Sequence, residues 1–185
     1  MSQAKREHLQ QAEQRLRETM AAIPHKILVV SGKGGVGKTT LSVNLAYALA
    51  EAGLEVGLLD TDLHGPNVAL MTGVEGRIAE MDGERFVPVE AAPRVRVLSI
   101  ALFTENPEAP IVWRGPRKSS AIRQLIGDGA WQGVDCLVVD CPPGTGDEPM
   151  TVAQLIPEAD GAVVVSSATA WLAIFSTRYS TASTV

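Results

Sequence analysis

Apolar residues along the chain fall into two patterns that alternate. Short, nearly continuous apolar runs occur at Lys26–Ser31, Val56–Asp60, Val95–Ile100, Cys136–Asp140 and Ala162–Val165. Runs of this length bounded by turn residues predict strands buried on both faces. Between them, apolar positions recur at helical spacing. Lys38–Ala52 predicts a helix with Leu41, Leu45, Ala48, Leu49 and Ala52 on one face and Gly53 as its stop. Pro116–Ile126 predicts a helix with proline in its first turn and Ile122, Leu125 and Ile126 facing in. Asp147–Ile156 predicts a third, capped by Asp147 and closed by Pro157. Such alternation specifies an α/β fold, a mostly parallel sheet with helices on both faces.

Three stretches break the rhythm. Residues 3–22 predict a lone helix with a narrow stripe of Leu9, Leu16, Met20 and Ile23, ended by Pro24. It suits packing onto the domain or onto a partner. Residues 72–94 carry Gly73, Gly76, Gly83 and Pro88, which predict a loop with a small hairpin. Residues 166–185 hold nine Ser or Thr, a single charge (Arg178) and no glycine. Trp171, Leu172, Ile174 and Phe175 are the residues there that could form a short helix. The chain thus divides into an N-terminal amphipathic helix (1–24), a core domain (25–165) and an atypical Ser/Thr-rich tail (166–185).

Composition narrows the function classes. The 185 residues are 45% apolar and 20% charged, which excludes wholesale disorder. A net charge of −5 argues against a general nucleic-acid binder. Residues 1–26 are slightly basic, too weakly for a membrane or nucleic-acid patch. Two cysteines, Cys136 and Cys141, do not make a disulfide-stapled fold. The first residues lack the apolar core of a signal peptide, and the apolar runs are far too short to span a bilayer, so the expected location is the cytoplasm.

The sharpest chemical signal is Gly32-Lys33-Gly34-Gly35-Val36-Gly37-Lys38-Thr39, followed by Thr40. It fits G-x-x-x-x-G-K-[ST], follows a predicted buried strand and opens a predicted helix. Glycines let backbone N–H groups wrap a phosphate, and a helix N-terminus adds roughly half a positive charge. Lys38 is then the cation for the terminal phosphates, and the Thr39 hydroxyl a magnesium ligand. Leu137-Val138-Val139-Asp140 is a hydrophobic strand ending in a carboxylate suited to the same metal. The loop Cys141-Pro142-Pro143-Gly144-Thr145-Gly146 after it suits sensing of a γ-phosphate through backbone N–H groups. Leu58-Leu59-Asp60-Thr61-Asp62 ends a second strand with another carboxylate pair, and Asp60 joins Thr39 and Asp140 as a candidate magnesium ligand. All these groups fall at C-terminal strand ends, where open α/β sheets bind ligands. The combination points to a magnesium-dependent ATPase. Lys33, a second lysine in the loop, is either solvated or directed at the nucleotide of a second subunit, where it would act as an arginine finger does.

The string S-G-K-G-G-V-G-K-T-T resembles the dimeric P-loop ATPases that include the nitrogenase iron protein, MinD and ParA. Asp60-Thr-Asp-Leu-His-Gly-Pro66-Asn67, Val112-Trp-Arg-Gly-Pro116 and Val139-Asp-Cys-Pro-Pro-Gly-Thr-Gly-Asp147 are similar to Mrp/ApbC-type iron–sulfur cluster carrier ATPases, over about Ile23 to Val165. The resemblance implies a P-loop NTPase fold with adjacent P-loop and Walker B strands, and nucleotide held at a homodimer interface. It implies Lys33 as the signature lysine, Asp62 as the switch-I carboxylate that orients water, and Asp140 as the Walker B residue. It also implies an iron–sulfur cluster bound between subunits and passed to apoprotein recipients, with no nucleic acid and no membrane as partner.

The sequence departs from that family after Val165, and its N-terminus also lacks the cysteines or the extra small domain of some members. Where the family continues through T-T-P-Q to a C-P-x-C segment, Ser166-Ser167-Ala-Thr-Ala-Trp follows Val165, and the C-x-x-C ligands and the adenine-side asparagine are absent. The change reads as a truncation or an altered reading frame. Cys136, in a buried strand, and Cys141, beside Asp140, read as structural rather than as replacement ligands. His8, His25 and His64 are scattered, and His64 reads as a surface histidine. Two other functions stand beside the cluster carrier: a MinD/ParA-like positioning switch, and a nucleotide-binding fragment without activity.

Overall fold

In the computed structural model, which describes residues 3–103, 118–166 and 173–176, every predicted apolar run is a strand. They are β1 (His25–Ser31), β2 (Val56–Asp60), β6 (Val95–Ser99), β7 (Cys136–Asp140) and β8 (Gly161–Val165). These five lie parallel in the order β6-β2-β7-β1-β8. The sheet gains an antiparallel strand at each edge, β5 (Val89–Ala92) beside β6 and β9 (Ala173–Ser176) beside β8. All residues of the central strands β2 and β7 are buried, which explains their unbroken apolar character.

Register shows which helix covers which face. Helix α2 (Lys38–Glu51) hydrogen-bonds the Asp140 side chain, and Val29 lies level with Asp140 on β1. Odd-numbered residues of β1 therefore face α2. Lys26 points the other way, and its Nζ donates to the carbonyls of Met20 (3.1 Å) and Ile23 (2.7 Å) at the end of helix α1 (Gln3–Ala21). Helix α1 thus lies on the opposite face, packed on α4 (Lys118–Gly127), which in turn packs on α5 (Asp147–Leu155).

The N-terminal helix packs onto the domain through its second half. Leu16, Met20 and Ile23 are buried, whereas Leu9 is exposed. Arg15 pairs with Asp128 (3.0 Å) and Glu84 (2.8 Å), and Arg85 donates to the Thr19 hydroxyl (3.0 Å). Glu84 and Arg85 belong to the hairpin of β3 (Met81–Asp82) and β4 (Arg85–Phe86), which fulfils the expectation for residues 72–94. That stretch also contains β5, which the glycine-rich reading did not anticipate.

Other expectations are corrected. Helix α2 turns Ser42, Val43, Ala46 and Ala50 to the sheet; Leu41, Leu45 and Leu49 are half-buried, and Ala48 and Ala52 are exposed. Small side chains in the i, i+4, i+8 row let the helix lie close to the strands, so the leucines flank the contact. Gly53 does stop it, at φ 101°, with Leu54 N–H bonded to Leu49 C=O (3.2 Å) and Gly53 N–H to Ala50 C=O (2.9 Å). The N-cap of α5 is Gly146, with no side-chain cap bond; Asp147 and Glu148 occupy the first turn, where acids favour the helix dipole. Ile100 opens a 3-10 turn (Ile100–Phe103) instead of ending β6. Ile174 and Phe175, expected in a helix, lie in β9 opposite Val163 and Ala162, because the edge of β8 offers an unpaired row of backbone groups. Trp171, Leu172, the Val112–Pro116 motif and the start of the helix predicted from Pro116 lie outside the described residues.

Lys26 is 4% exposed and satisfies two carbonyls at the end of α1. Lys26→Ala removes the ammonium from both, leaving the Met20 carbonyl only the 3.3 Å Ile23 N–H, and should cost ~1–3 kcal/mol. Denaturant unfolding read by far-ultraviolet circular dichroism measures this; an unchanged midpoint would show that the cap is energetically idle.

Candidate functional site

The loop between β1 and α2 needs backbone that side chains resist. Gly35 (φ 72°) and Gly37 (φ 89°) adopt left-handed conformations, and no atom lies within 4 Å of where a Cβ would stand. Conformation, not crowding, therefore demands glycine here, and the open space is a cradle. A cavity of about 280 Å³ adjoins the loop. The loop and the start of α2 contribute Lys33, Gly34, Gly35, Gly37, Lys38, Thr39 and Thr40 to its lining, and Asp62, Asn67, Met71 and Pro143 join from elsewhere in the chain. Gly32 and Val36 are part of the same loop outside that lining.

Asp140 gathers the chemistry. Its Oδ1 lies 2.8 Å from Lys38 Nζ and accepts a 2.6 Å hydrogen bond from Ser42 Oγ. Its Oδ2 accepts one from Thr39 Oγ1 at 2.8 Å. The structure thus brings together Lys38, Thr39 and Asp140, three of the residues expected from sequence. Lys38 and Asp140 are both almost wholly buried, which strengthens the pair relative to an exposed one. A hydroxyl and a carboxylate are hard oxygen donors of the kind magnesium takes, so the residues present fit that ion.

Asp60 lies level with Asp140 across β2 and β7 but is used differently. It is fully buried and outside the cavity lining. Its Oδ1 accepts the Asp62 N–H (3.0 Å), and its Oδ2 accepts the Ser99 hydroxyl (3.1 Å) and the Val68 N–H (3.3 Å). Burial first, and then the charge of Asp140, pushes its carboxyl up to about 7. Asp60 is therefore not brought to Thr39 as Asp140 is. Asp62 does line the cavity, with its Oδ1 accepting the N–H groups of His64 and Gly65 (3.1 Å each). His64 is exposed and 3.4 Å from Glu148. Lys33 is exposed and makes no ion pair among the described residues.

The loop after β7 is tethered at its start. Cys141 N–H bonds Val29 C=O (3.0 Å), and Gly144 N–H, at φ 104°, bonds Ser31 C=O (2.8 Å). Cys136 and Cys141 are free thiols and both buried, as the structural reading of them required. Burial, foremost, and neighbouring carboxylates push their thiols up to about 11 and about 12. No group of three or more His, Cys, Asp or Glu side chains among the described residues could hold a metal ion by itself.

Sequence reasoning missed Ser42, Asn67, Met71 and Ser31. Ser42 carried a signal, a polar residue four positions after Lys38 on the same helix face. Asn67 and Met71 reach the cavity because Pro66-Asn67 leads into the short helix α3 (Val68–Met71), which no periodicity announced. Among the described residues, no helix is long and apolar enough to cross a membrane.

Comparison with known proteins supplies the rest. The chain is 45% identical over 159 residues to an iron–sulfur cluster carrier protein of Methanocaldococcus jannaschii, a match covering 86% of this chain and 55% of that one. It is 47% identical over 149 residues to a cytosolic Fe-S cluster assembly factor NUBP2 homolog of Culex quinquefasciatus, covering 78% and 58%. The chain thus spans little more than half the length of the curated relatives it matches. Among solved structures it is similar to a nucleotide-binding protein of Archaeoglobus fulgidus in complex with ADP, with 35% identity, TM-score 0.71, and 83% and 58% of the two chains covered. It is also similar to the MinC:MinD cell division protein complex of Aquifex aeolicus, with 26% identity, TM-score 0.53, and 76% and 55% covered. The family described as ParA: NUBPL iron-transfer P-loop NTPase matches residues 22–181, nearly all of the chain beyond its N-terminal helix, and the chain belongs to that family.

Proposed function

We propose that this chain is the nucleotide-binding and nucleotide-hydrolysing part of a cytoplasmic iron–sulfur cluster carrier that works as a homodimer and delivers clusters to apoproteins. The observation that carries this reading is the convergence of Lys38, Thr39 and Asp140 beside a glycine cradle in a chain of this family.

Lys38 neutralises Asp140 within the chain. A polyphosphate in the cradle competes for the same ammonium, so binding exchanges one anionic partner of Lys38 for another. Loop N–H groups and the N-terminus of α2 hold the phosphates. Magnesium, when bound, supplies charge that offsets the build-up on the phosphates, and Thr39 and Asp140 are the residues placed to hold it. Asp60 braces the loop that carries Asp62, fixing the Asp62 N–H and the start of α3. Asp62 then orients a water, and Lys33 reaches the nucleotide of the second subunit.

The cluster is cargo, and iron centres of this kind are held by thiolates. The two cysteines here are buried, with thiols pushed far above neutral pH, so neither is available as a ligand. Nucleotide chemistry and cluster binding therefore separate in this chain.

Three outcomes follow. Lys38→Ala should abolish ATP binding in calorimetry, while Asp62→Ala should keep affinity and lose kcat, since orienting water acts in the transition state. Unaltered affinity in the lysine variant would remove the phosphate-loop assignment; equal loss of affinity and turnover in the aspartate variant would make Asp62 structural. Anaerobic reconstitution with iron and sulfide should give no stoichiometric cluster by iron–sulfide quantitation. A cluster lost on Cys141→Ser would refute the structural assignment of that thiol. The third outcome is pH dependence. Because the folded Asp60 carboxyl titrates near 7, above its unfolded value of 3.8, the native chain keeps a proton that the unfolded chain releases. Its contribution to stability is full below about pH 4 and declines as pH rises through about 7. Urea midpoints of the nucleotide-free protein should show a decline over that window that Asp60→Asn flattens; an identical slope in both proteins would mean Asp60 stays ionised.

A further inference from the structure

Two buried side-chain polar atoms lack a hydrogen-bond partner among the described residues, Trp131 Nε1 and Ser31 Oγ. Trp131 lies far along the chain from the phosphate loop, beside the N-terminal helix. Ser31 is the last residue of β1, directly before Gly32, and it lines the same cavity as Lys38. It is 3% exposed. Its carbonyl accepts the Gly144 N–H, and it stands in register with Val165 of β8. Its side chain shares the α2 face with Asp140, because Ser31 stands two residues beyond Val29 on β1 and Val29 is level with Asp140. The hydroxyl therefore lies beneath the phosphate loop, and nothing there bonds it.

A buried hydroxyl without a partner is a cost that alanine would not incur, and folded proteins retain few such groups. The loop above it has groups to offer. Residues 32–35 and 37 are exposed, glycines predominate, and no atom crowds the Cβ positions of Gly32, Gly34, Gly35 or Gly37. The loop backbone is thus uncrowded, and Ser31 Oγ is a buried polar group at its base.

We propose that Ser31 is a positioning residue for the phosphate loop: its hydroxyl is bonded by the loop backbone only when polyphosphate has drawn the loop into place. This rests on the reading that the loop binds nucleotide. Left unbonded, the hydroxyl raises the free energy of any arrangement that does not engage it, and its bonding favours the nucleotide-bound one. Ser31 need not touch the ligand to do this, and its buried oxygen does not reach the cavity surface.

The test is a pair of measurements on the full chain and on Ser31→Ala. Thermal unfolding without nucleotide should show the variant more stable than the wild type, since the unpaired group is gone. Calorimetric titration with magnesium and the non-hydrolysable analogue AMP-PNP should show affinity lowered about five- to tenfold, one hydrogen bond's worth. The opposite signs matter, because a serine with a purely structural role would move both quantities in the same direction. A variant less stable than wild type when empty would show that the hydroxyl already has a partner, such as a resident water, and would overturn the proposal. So would unchanged affinity. If the wild type itself fails to bind AMP-PNP, the nucleotide reading falls instead, and this is distinguishable because that result does not depend on the variant.

Discussion

The arrangement of the site depends on one carboxylate. Asp140 stands at the end of a strand buried along its whole length, where an unpaired charge would be intolerable. It is paired by three groups from a single helix, the Lys38 ammonium and the hydroxyls of Thr39 and Ser42. These bonds fix the rotation of α2 about its own axis and its height above the sheet. They also explain why α2 turns a row of small residues inward, because a helix held this close leaves no space for leucine. The phosphate loop is the connection between β1 and that fixed helix start, so its shape follows from the same bonds.

The neighbouring carboxylate has a complementary task. Asp60 is the register partner of Asp140, yet it collects mainly backbone N–H groups. One acid thereby organises a helix and the other a loop. Their side-by-side placement follows from parallel pairing of β2 with β7, and the low polarity around them forces Asp60 to hold its proton near neutrality. The hydroxyl of Ser99, from β6, joins the third strand to the same cluster.

Much of this was legible in the chain. Continuous apolar runs announced the five parallel strands because strands buried on both faces admit little else. The phosphate loop was legible because its chemistry imposes glycines and a lysine at fixed spacing. Apart from Ser42, most of what escaped had no local signature. The strand Ala173–Ser176 is made by the open edge of β8, and its flanks of Ser and Thr give no periodic pattern. The inward face of α2 was misjudged because leucine spacing outweighed the smaller Ser42, Ala46 and Ala50, whose importance comes from closeness to the sheet. Ser31 was invisible because an unbonded hydroxyl is a property of surroundings that only the fold assembles. Asp60 and Asp140 look alike in sequence, and the division of labour between them is set by what each strand end faces.

The tether of the loop after β7 has a mechanical consequence. Cys141 is fastened to β1 by its N–H, and Pro142 and Pro143 have fixed φ and no donor to exchange. The first glycine joint after them is Gly144, in a conformation that other residues avoid and with its own N–H held by the Ser31 carbonyl. Helix α5 begins three residues later. Any swing at that joint is transmitted over a very short arm to the helix, and α5 leans on α4, which leans on α1. The loop that borders the cradle is thus joined to the N-terminal helix through an unbroken series of packed elements, α5, α4 and α1.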